Sequence, residues 1–104
     1  MESLFMLIVP KNSKGINSCN QGTDDYENCI YYTLSRDEYE TLRKHHVFDI
    51  LNDRFDLWID EGESETVSAD QLKSAYTEVN LMKGEWMKAV DAAIKHNTCL
   101  FMAL

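Results

Sequence analysis

Two stretches of the chain are almost entirely apolar, and they lie near its two ends. The first covers residues 4–9 and stops at Pro10, and the second runs from Thr98 to Leu104. A strand that is apolar on both faces is typical of the interior of a sheet. We therefore expect these two strands to be central in one sheet and adjacent to each other.

Two further segments have the composition of strands. Residues 29–34 are rich in β-branched and aromatic side chains, and residues 55–60 alternate between apolar and other positions. The alternation gives two faces, with Phe55, Leu57 and Ile59 on one and Asp56, Trp58 and Asp60 on the other. We expect these two strands to form the edges of the sheet.

Three helices are predicted between the strands. Residues 35–38 and 68–71 both have the form of a capping box, in which a serine accepts from a free amide and a later side chain reaches back. The helix after the first box should run to about Asn52, and a third helix should extend from Trp86 to Asn97. Residues 10–27 are polar and contain glycine, so they are expected to form one long loop.

The resulting element order, ββαβααβ, indicates the α+β class. The prediction is a single domain over residues 1–104, with a four-stranded, mostly antiparallel sheet and three helices. A chain of 104 residues in which 44% are apolar is long enough for one hydrophobic core and too short for two.

The charge balance restricts the partners of this domain. There are 18 acidic and 10 basic side chains, and the formal net charge is −8. Binding of nucleic acid and of anionic membranes is driven by cationic side chains, so we expect neither as a partner. No apolar run reaches the roughly 20 residues needed to span a bilayer, and the N-terminus lacks the basic region of a signal peptide.

The three cysteines are few, odd in number and widely spaced. A disulfide framework would need an even and denser set, so we expect a reducing compartment and a cytoplasmic location. A disulfide between Cys19 and Cys29 remains open as an alternative.

The negative charge is concentrated in one part of the chain. Residues 49–70 contain eight acidic side chains and one basic side chain, so they account for seven of the eight net negative charges. Such a concentration creates a directed field that favours association with a positively charged partner. The alternative is a solvated loop whose carboxylates keep the protein soluble.

Trp58 stands between two aspartates in this segment, and a large aromatic ring surrounded by charge is typical of an interface hot spot. If the helices cover the other face, Trp58 lies on the open face of the sheet, and Tyr31 should point to the same side from the second strand. The alternative is that the third helix covers Trp58. The candidate partner-binding residues are Asp53, Asp56, Trp58, Asp60, Glu61, Glu63, Glu65 and Tyr31.

Several kinds of chemical site are not predicted. With Gly62 at the sixth position of an EF-hand loop, Ser68 would occupy the twelfth position, where glutamate is required. The histidines and cysteines lack the paired spacing of zinc ligands, and there is no phosphate loop, dinucleotide fingerprint or nucleophile elbow. We therefore expect no metal, no cofactor and no enzymatic activity. A thiol function of Cys19, which lies in the predicted loop, is a third hypothesis.

The second half of the chain resembles small acidic bacterial proteins of the immunity type. The resemblance is carried by residues 55–65, by the following segment Ser68–Leu72, and by the alanine-rich helix and final apolar strand from Trp86 to Leu104. It implies a protein that binds and neutralises a cognate toxin, often a basic nuclease, inside the producing cell.

The leading hypothesis is thus a cytoplasmic protein-binding module, an immunity-like inhibitor that occludes a basic toxin through an acidic surface. The alternative is a small homodimeric structural or regulatory protein without catalytic activity, which associates through an exposed apolar face of its sheet.

Overall fold

The chain forms an α+β domain in the computed structural model, which describes residues 5–80 and 84–104. Within these residues one four-stranded sheet is accompanied by six helices. The elements are β1 (Phe5–Pro10), α1 (Ser13–Gln21), β2 (Cys29–Leu34), α2 (Arg36–Lys44), α3 (Val47–Phe55), β3 (Ser64–Ser68), α4 (Ala69–Ser74), α5 (Tyr76–Val79), α6 (Glu85–His96) and β4 (Cys99–Ala103).

The sheet is antiparallel throughout, with the order β2-β1-β4-β3. The two apolar strands at the ends of the chain are therefore central and adjacent, as predicted, and β2 is an edge. Four residues lie opposite one another across the sheet: Tyr31, Ile8, Phe101 and Thr66. Paired residues of an antiparallel sheet point to the same face, so these four share one face.

The prediction that residues 55–60 form the other edge strand is wrong. Helix α3 continues to Phe55, and Asp56 ends it in the left-handed conformation at φ 55°. Residues 57–60 are outside the sheet, and the edge strand is instead β3, in which only Val67 is buried. An edge strand with one partner and solvent on most sides needs few apolar side chains, so its composition resembles that of a loop.

The prediction of a long loop over residues 10–27 is also wrong, because α1 occupies half of it. Asn12 caps this helix by accepting from the amide of Gly15, and Gly22 ends it at φ 70°. A Cβ atom at Gly15 would lie 2.3 Å from the carbonyl oxygen of Asn28, so glycine permits the helix to approach the chain closely.

The two predicted helices after residues 35 and 68 are each divided. The first becomes α2 and α3, which are separated at His46 in the left-handed conformation (φ 62°), and the second becomes α4 and α5. The capping box at residues 68–71 is complete. At the first box only Ser35 acts as a cap, because the Glu38 carboxylate accepts from the backbone amide of Trp86 instead and so ties α2 to α6.

The hydrophobic core lies on one face of the sheet. Leu7, Val67 and Met102 point into it from the strands, and helices α2 to α6 supply the other side. Trp86 is fully buried there, and its indole nitrogen donates to the carbonyl oxygen of Val79.

The opposite face, which we call the open sheet face, is covered at one end by α1. Gly15 of α1 lies beside Pro10, and the Cys29 thiol is 3.5 Å from the Gly15 carbonyl oxygen. The rest of this face leaves apolar side chains of the two central strands partly exposed: Met6, Ile8, Phe101 and Ala103.

Candidate functional site

Most of the predicted binding residues lie between the last turn of α3 and the start of β3. They form an exposed region that we call the Trp58 surface, comprising Asp53, Asp56, Trp58, Asp60, Glu61 and Glu63. Glu65, the seventh residue of this stretch, lies in β3 and is only partly exposed.

Hydrogen bonds on both sides hold the backbone around Trp58 in place. The amide of Trp58 donates to the Glu65 carboxylate at 2.9 Å. The side chain of Asn52 accepts from the amide of Ile59 at 2.7 Å and donates to the carbonyl of Ile59 at 3.1 Å. Ile59 is buried, whereas the Trp58 side chain is 73% exposed. The segment is thus anchored to the core while its indole faces solvent.

Of the two alternatives for Trp58, exposure on the open face of the sheet or burial under the third helix, burial is wrong, because the side chain is exposed. Its position is not on the open sheet face either. Trp58 is next to the edge of β3, on the side of the helices, because Glu65 shares its sheet face with the buried residue Val67. The extended segment alternates as a strand would, with Leu57 partly buried and Ile59 buried. The period-two pattern therefore holds here without a strand partner.

Tyr31 does not belong to the Trp58 surface, which corrects the grouping expected from the sequence. It lies on β2, the opposite edge of the sheet, and on the open sheet face. Its hydroxyl accepts from the amide of Asp25 at 2.8 Å, and its ring centre is 4.7 Å from that of Tyr26. Burial raises the pKa of Tyr31 above its ordinary value. Tyr31 thus anchors the turn before β2.

The carboxylates of the segment differ in what they contact. Glu61 forms an ion pair with Arg36, and this bond raises the pKa of the Arg36 guanidinium. Glu65 accepts from the amides of Trp58 and Thr66, so its role is to position the backbone. The exposed carboxylates of Asp53, Asp56, Asp60 and Glu63 make no ion pair with any described residue.

A cleft of about 580 Å³ opens beside Trp58, between α2, α3 and residues 57–60. We call it the Trp58 cleft. Its lining combines apolar and charged side chains: Tyr39, Arg43, His46, Phe48, Asp49, Asn52, Leu57, Trp58, Ile59 and Asp60. His46 Nδ1 is 3.1 Å from the Asp49 carboxylate. The cleft lies where α2 and α3 diverge at His46, and that break was not predicted.

The cysteines do not support the accessible thiol that the sequence placed at residue 19. Cys19 and Cys29 are both unbonded and buried, and Cys99 is partly buried. Burial, with the neighbouring Cys29, raises the pKa of Cys19 to about 12. A thiol is nucleophilic as the thiolate, so this environment opposes reactivity at neutral pH.

Within residues 5–80 and 84–104, no three histidine, cysteine, aspartate or glutamate side chains are grouped as metal ligands. None of the helices in the same residues has an apolar stretch long enough to span a bilayer.

Comparisons with protein-family models, with curated proteins and with solved structures gave no match to this chain.

Proposed function

We propose that this chain is a protein-binding module whose Trp58 surface binds a basic protein partner. The observation that carries the proposal is the Trp58 indole, which is 73% exposed on a backbone held by Asn52 and Glu65. Tryptophan is among the residues that contribute most to protein interfaces, because it buries a large area at low entropic cost. A backbone that is already ordered avoids a further cost on binding.

Charge indicates the class of partner. Exposed carboxylates without ion pairs among the described residues surround the indole on both sides in the chain. Such a field attracts a cationic surface and raises the rate of association. In its most specific form, the proposal is an immunity-type inhibitor that acts in the cytoplasm and blocks the functional site of a basic toxin. No bond is made or broken in this mechanism.

The direct test is to measure association with the protein encoded by the adjacent gene, at about 0.05 M and 0.5 M salt. We expect the association rate to fall about tenfold at the higher salt concentration. Trp58→Ala should weaken the complex at least about tenfold. Tyr26→Ala is the matched control, because Tyr26 is also 73% exposed, and it should change affinity by less than about twofold.

A second pair of variants separates local from total charge. Two double variants remove the same charge from exposed positions. The first combines Asp53→Asn with Glu63→Gln on the Trp58 surface, and the second combines Asp24→Asn with Glu27→Gln outside it. Only the first pair should slow association. No complex, a rate independent of salt, or equal effects of Trp58→Ala and Tyr26→Ala would count against the proposal.

The open sheet face supports a second candidate, a homodimer formed through that face. Met6, Ile8 and Phe101 are partly exposed there, and the described strand residues of this face include no charged side chain. Light scattering over a range of concentrations tests this candidate. We expect a dimer that Ile8→Lys converts to a monomer, whereas a monomer at every concentration would reject it.

A further inference from the structure

Three elements bring cysteines to the end of the open sheet face that α1 covers. Cys29 in β2 and Cys99 in β4 each lie two residues before a residue of that face, so their side chains point to the same side. Cys19 comes from α1, where it and Gly15 are the two buried residues. The three thiols are unbonded.

Two of these thiols are direct neighbours. The Cys29 thiol donates to the carbonyl oxygen of Gly15 at 3.5 Å, and Cys19 lies one helical turn after Gly15 on the same face of α1. Burial raises the pKa of both thiols, and a hydrogen bond between the two sulfur atoms raises that of Cys19 further and opposes the rise at Cys29. The Cys29 sulfur therefore lies against the turn that carries the Cys19 thiol.

The sheet separates Cys29 from the third cysteine. Cys29 and Cys99 lie in strands on either side of β1, so two strand spacings of together about 9.5 Å lie between them. A disulfide requires Cα atoms within about 7 Å of each other. Cys29 can therefore form a disulfide with Cys19 and not with Cys99.

Helix α1 is held against the sheet by little apolar contact. Of its nine residues only Cys19 has a buried side chain, since the other buried residue is Gly15. An element with few buried contacts opens locally at a lower free energy than the core. Local opening of α1 therefore exposes both thiols to a small reagent, although both are buried while α1 is in place.

We infer that Cys19 and Cys29 form a reversible disulfide that links α1 covalently to the edge strand β2 under oxidising conditions. The co-reactant is a small disulfide such as oxidised glutathione. One protein thiolate attacks it, forms a mixed disulfide and releases a glutathione thiolate, and the second protein thiolate then attacks the protein sulfur and releases the other. The two protein sulfur atoms lose two electrons, the small disulfide gains them, and the two thiol protons pass to the released glutathione molecules.

This bond would keep α1 over its end of the open sheet face. Disulfides that form in reducing compartments are transient and respond to oxidants, so the bond would make the attachment of α1 depend on the redox state. The inference is independent of the proposed basic partner, because the Trp58 surface adjoins β3, at the opposite edge of the sheet from β2.

The test measures the disulfide at equilibrium in glutathione buffers at about pH 8, where thiol–disulfide exchange is fast enough to follow. Samples of the full chain start either reduced or oxidised, so that slow opening of α1 is not mistaken for absence of the bond. The quantity compared is the ratio of the squared glutathione concentration to that of its disulfide at half oxidation. We expect this ratio to be about a hundredfold higher for the folded chain than for the chain in urea.

Peptide mapping after alkylation of the remaining thiols identifies the pair, which should be Cys19 with Cys29. Cys99→Ser is the matched control, because it removes a thiol from the same end of the open sheet face; it should change the ratio by less than about twofold. Oxidation should also slow hydrogen exchange of the α1 amides at least about tenfold. In Cys19→Ser, the same oxidising buffer should leave this exchange unchanged.

Three results would overturn the inference. One is a half-oxidation ratio that is no higher in the folded chain than in urea, since the fold would then not favour the bond. Another is a product in which Cys99 is the main partner of either thiol. The third is an oxidised chain whose α1 amides exchange as fast as those of the reduced chain. None of these results bears on the association with a basic protein.

Discussion

Leu7 and Ile8 are neighbours in β1, yet the sheet gives them opposite environments. Leu7 is fully buried under the helices, whereas Ile8 lies on the open sheet face and is partly exposed. In the sequence both belong to one continuous apolar run, which predicts a central strand that is apolar on both faces. The difference shows that a continuous apolar run identifies a central strand correctly without establishing that both faces are covered.

The largest expected difference between the two faces is in stability. Leu7→Ala leaves a cavity in the core and should lower the free energy of unfolding by about 3 kcal/mol. Ile8→Ala removes a partly exposed side chain and should cost about 1 kcal/mol or less. Urea unfolding of both variants measures this. Equal losses would mean that the open sheet face is covered in solution, and a dependence on protein concentration would then identify a second copy as the cover.

A smaller effect concerns the contact of α1 with the open sheet face. Gly15→Ala would place a Cβ atom 2.3 Å from the Asn28 carbonyl oxygen and 2.9 Å from Pro10 Cβ. We expect α1 to shift outward at a cost of about 2 kcal/mol. Gly22→Ala has free space but a positive φ, so about 1 kcal/mol is expected.

Hydrogen exchange of the α1 amides, together with urea unfolding, compares the two glycine variants. Faster exchange across α1 should accompany the larger loss of stability in Gly15→Ala. A smaller loss for Gly15→Ala than for Gly22→Ala would show that α1 is not tightly packed against the chain at Gly15.

The strands and helices differ in how far the local sequence determines them. The central strands and the box at residues 68–71 were predicted because apolar runs and capping side chains act over a few residues. Helix α1 was missed because its buried residues are Gly15 and Cys19, too small to give an apolar stripe. Strand β3 was missed because its position at an edge lets it remain polar.

The candidate site was predictable only in part. The alternation of residues 57–60 places Trp58 on the opposite side from Leu57 and Ile59, which is a local property, but it does not decide which side is exposed. The contact of Glu65 with the Trp58 amide and the cleft beside it depend on how distant elements meet. Period-two faces are defined within each strand, so they group Tyr31 with Trp58 but contain no information on which edge of the sheet each residue lies near.

The smallest expected effect is on the pH dependence of stability. It compares Asp25, which contacts α1, with Glu78, which lies in α5 on the helix side of the sheet. Hydrogen bonds from Asn28 and Ser18 lower the pKa of Asp25, and a bond from Arg54 lowers that of Glu78. A depressed pKa stabilises the fold above the unfolded pKa, and this stabilisation is lost as the pH falls through the folded value.

Stability should therefore decrease below about pH 4, and Asp25→Asn or Glu78→Gln should each make the decrease less steep. Urea unfolding at several pH values measures the slope. An unchanged slope in both variants would show that other carboxylates govern the acid sensitivity. A change in Glu78→Gln alone would place this sensitivity in the helix layer.

The side chain of Asn52 pairs with the amide and the carbonyl of Ile59, and it touches only main-chain atoms there. Aspartate has the same shape but no N–H to donate to that carbonyl, so this pair of hydrogen bonds requires an amide side chain. The two hydrogen bonds place no requirement on the side chain at position 58. A chain that kept the Asn52 hydrogen bonds and exchanged the tryptophan would present a different side chain on the same backbone without refolding this region.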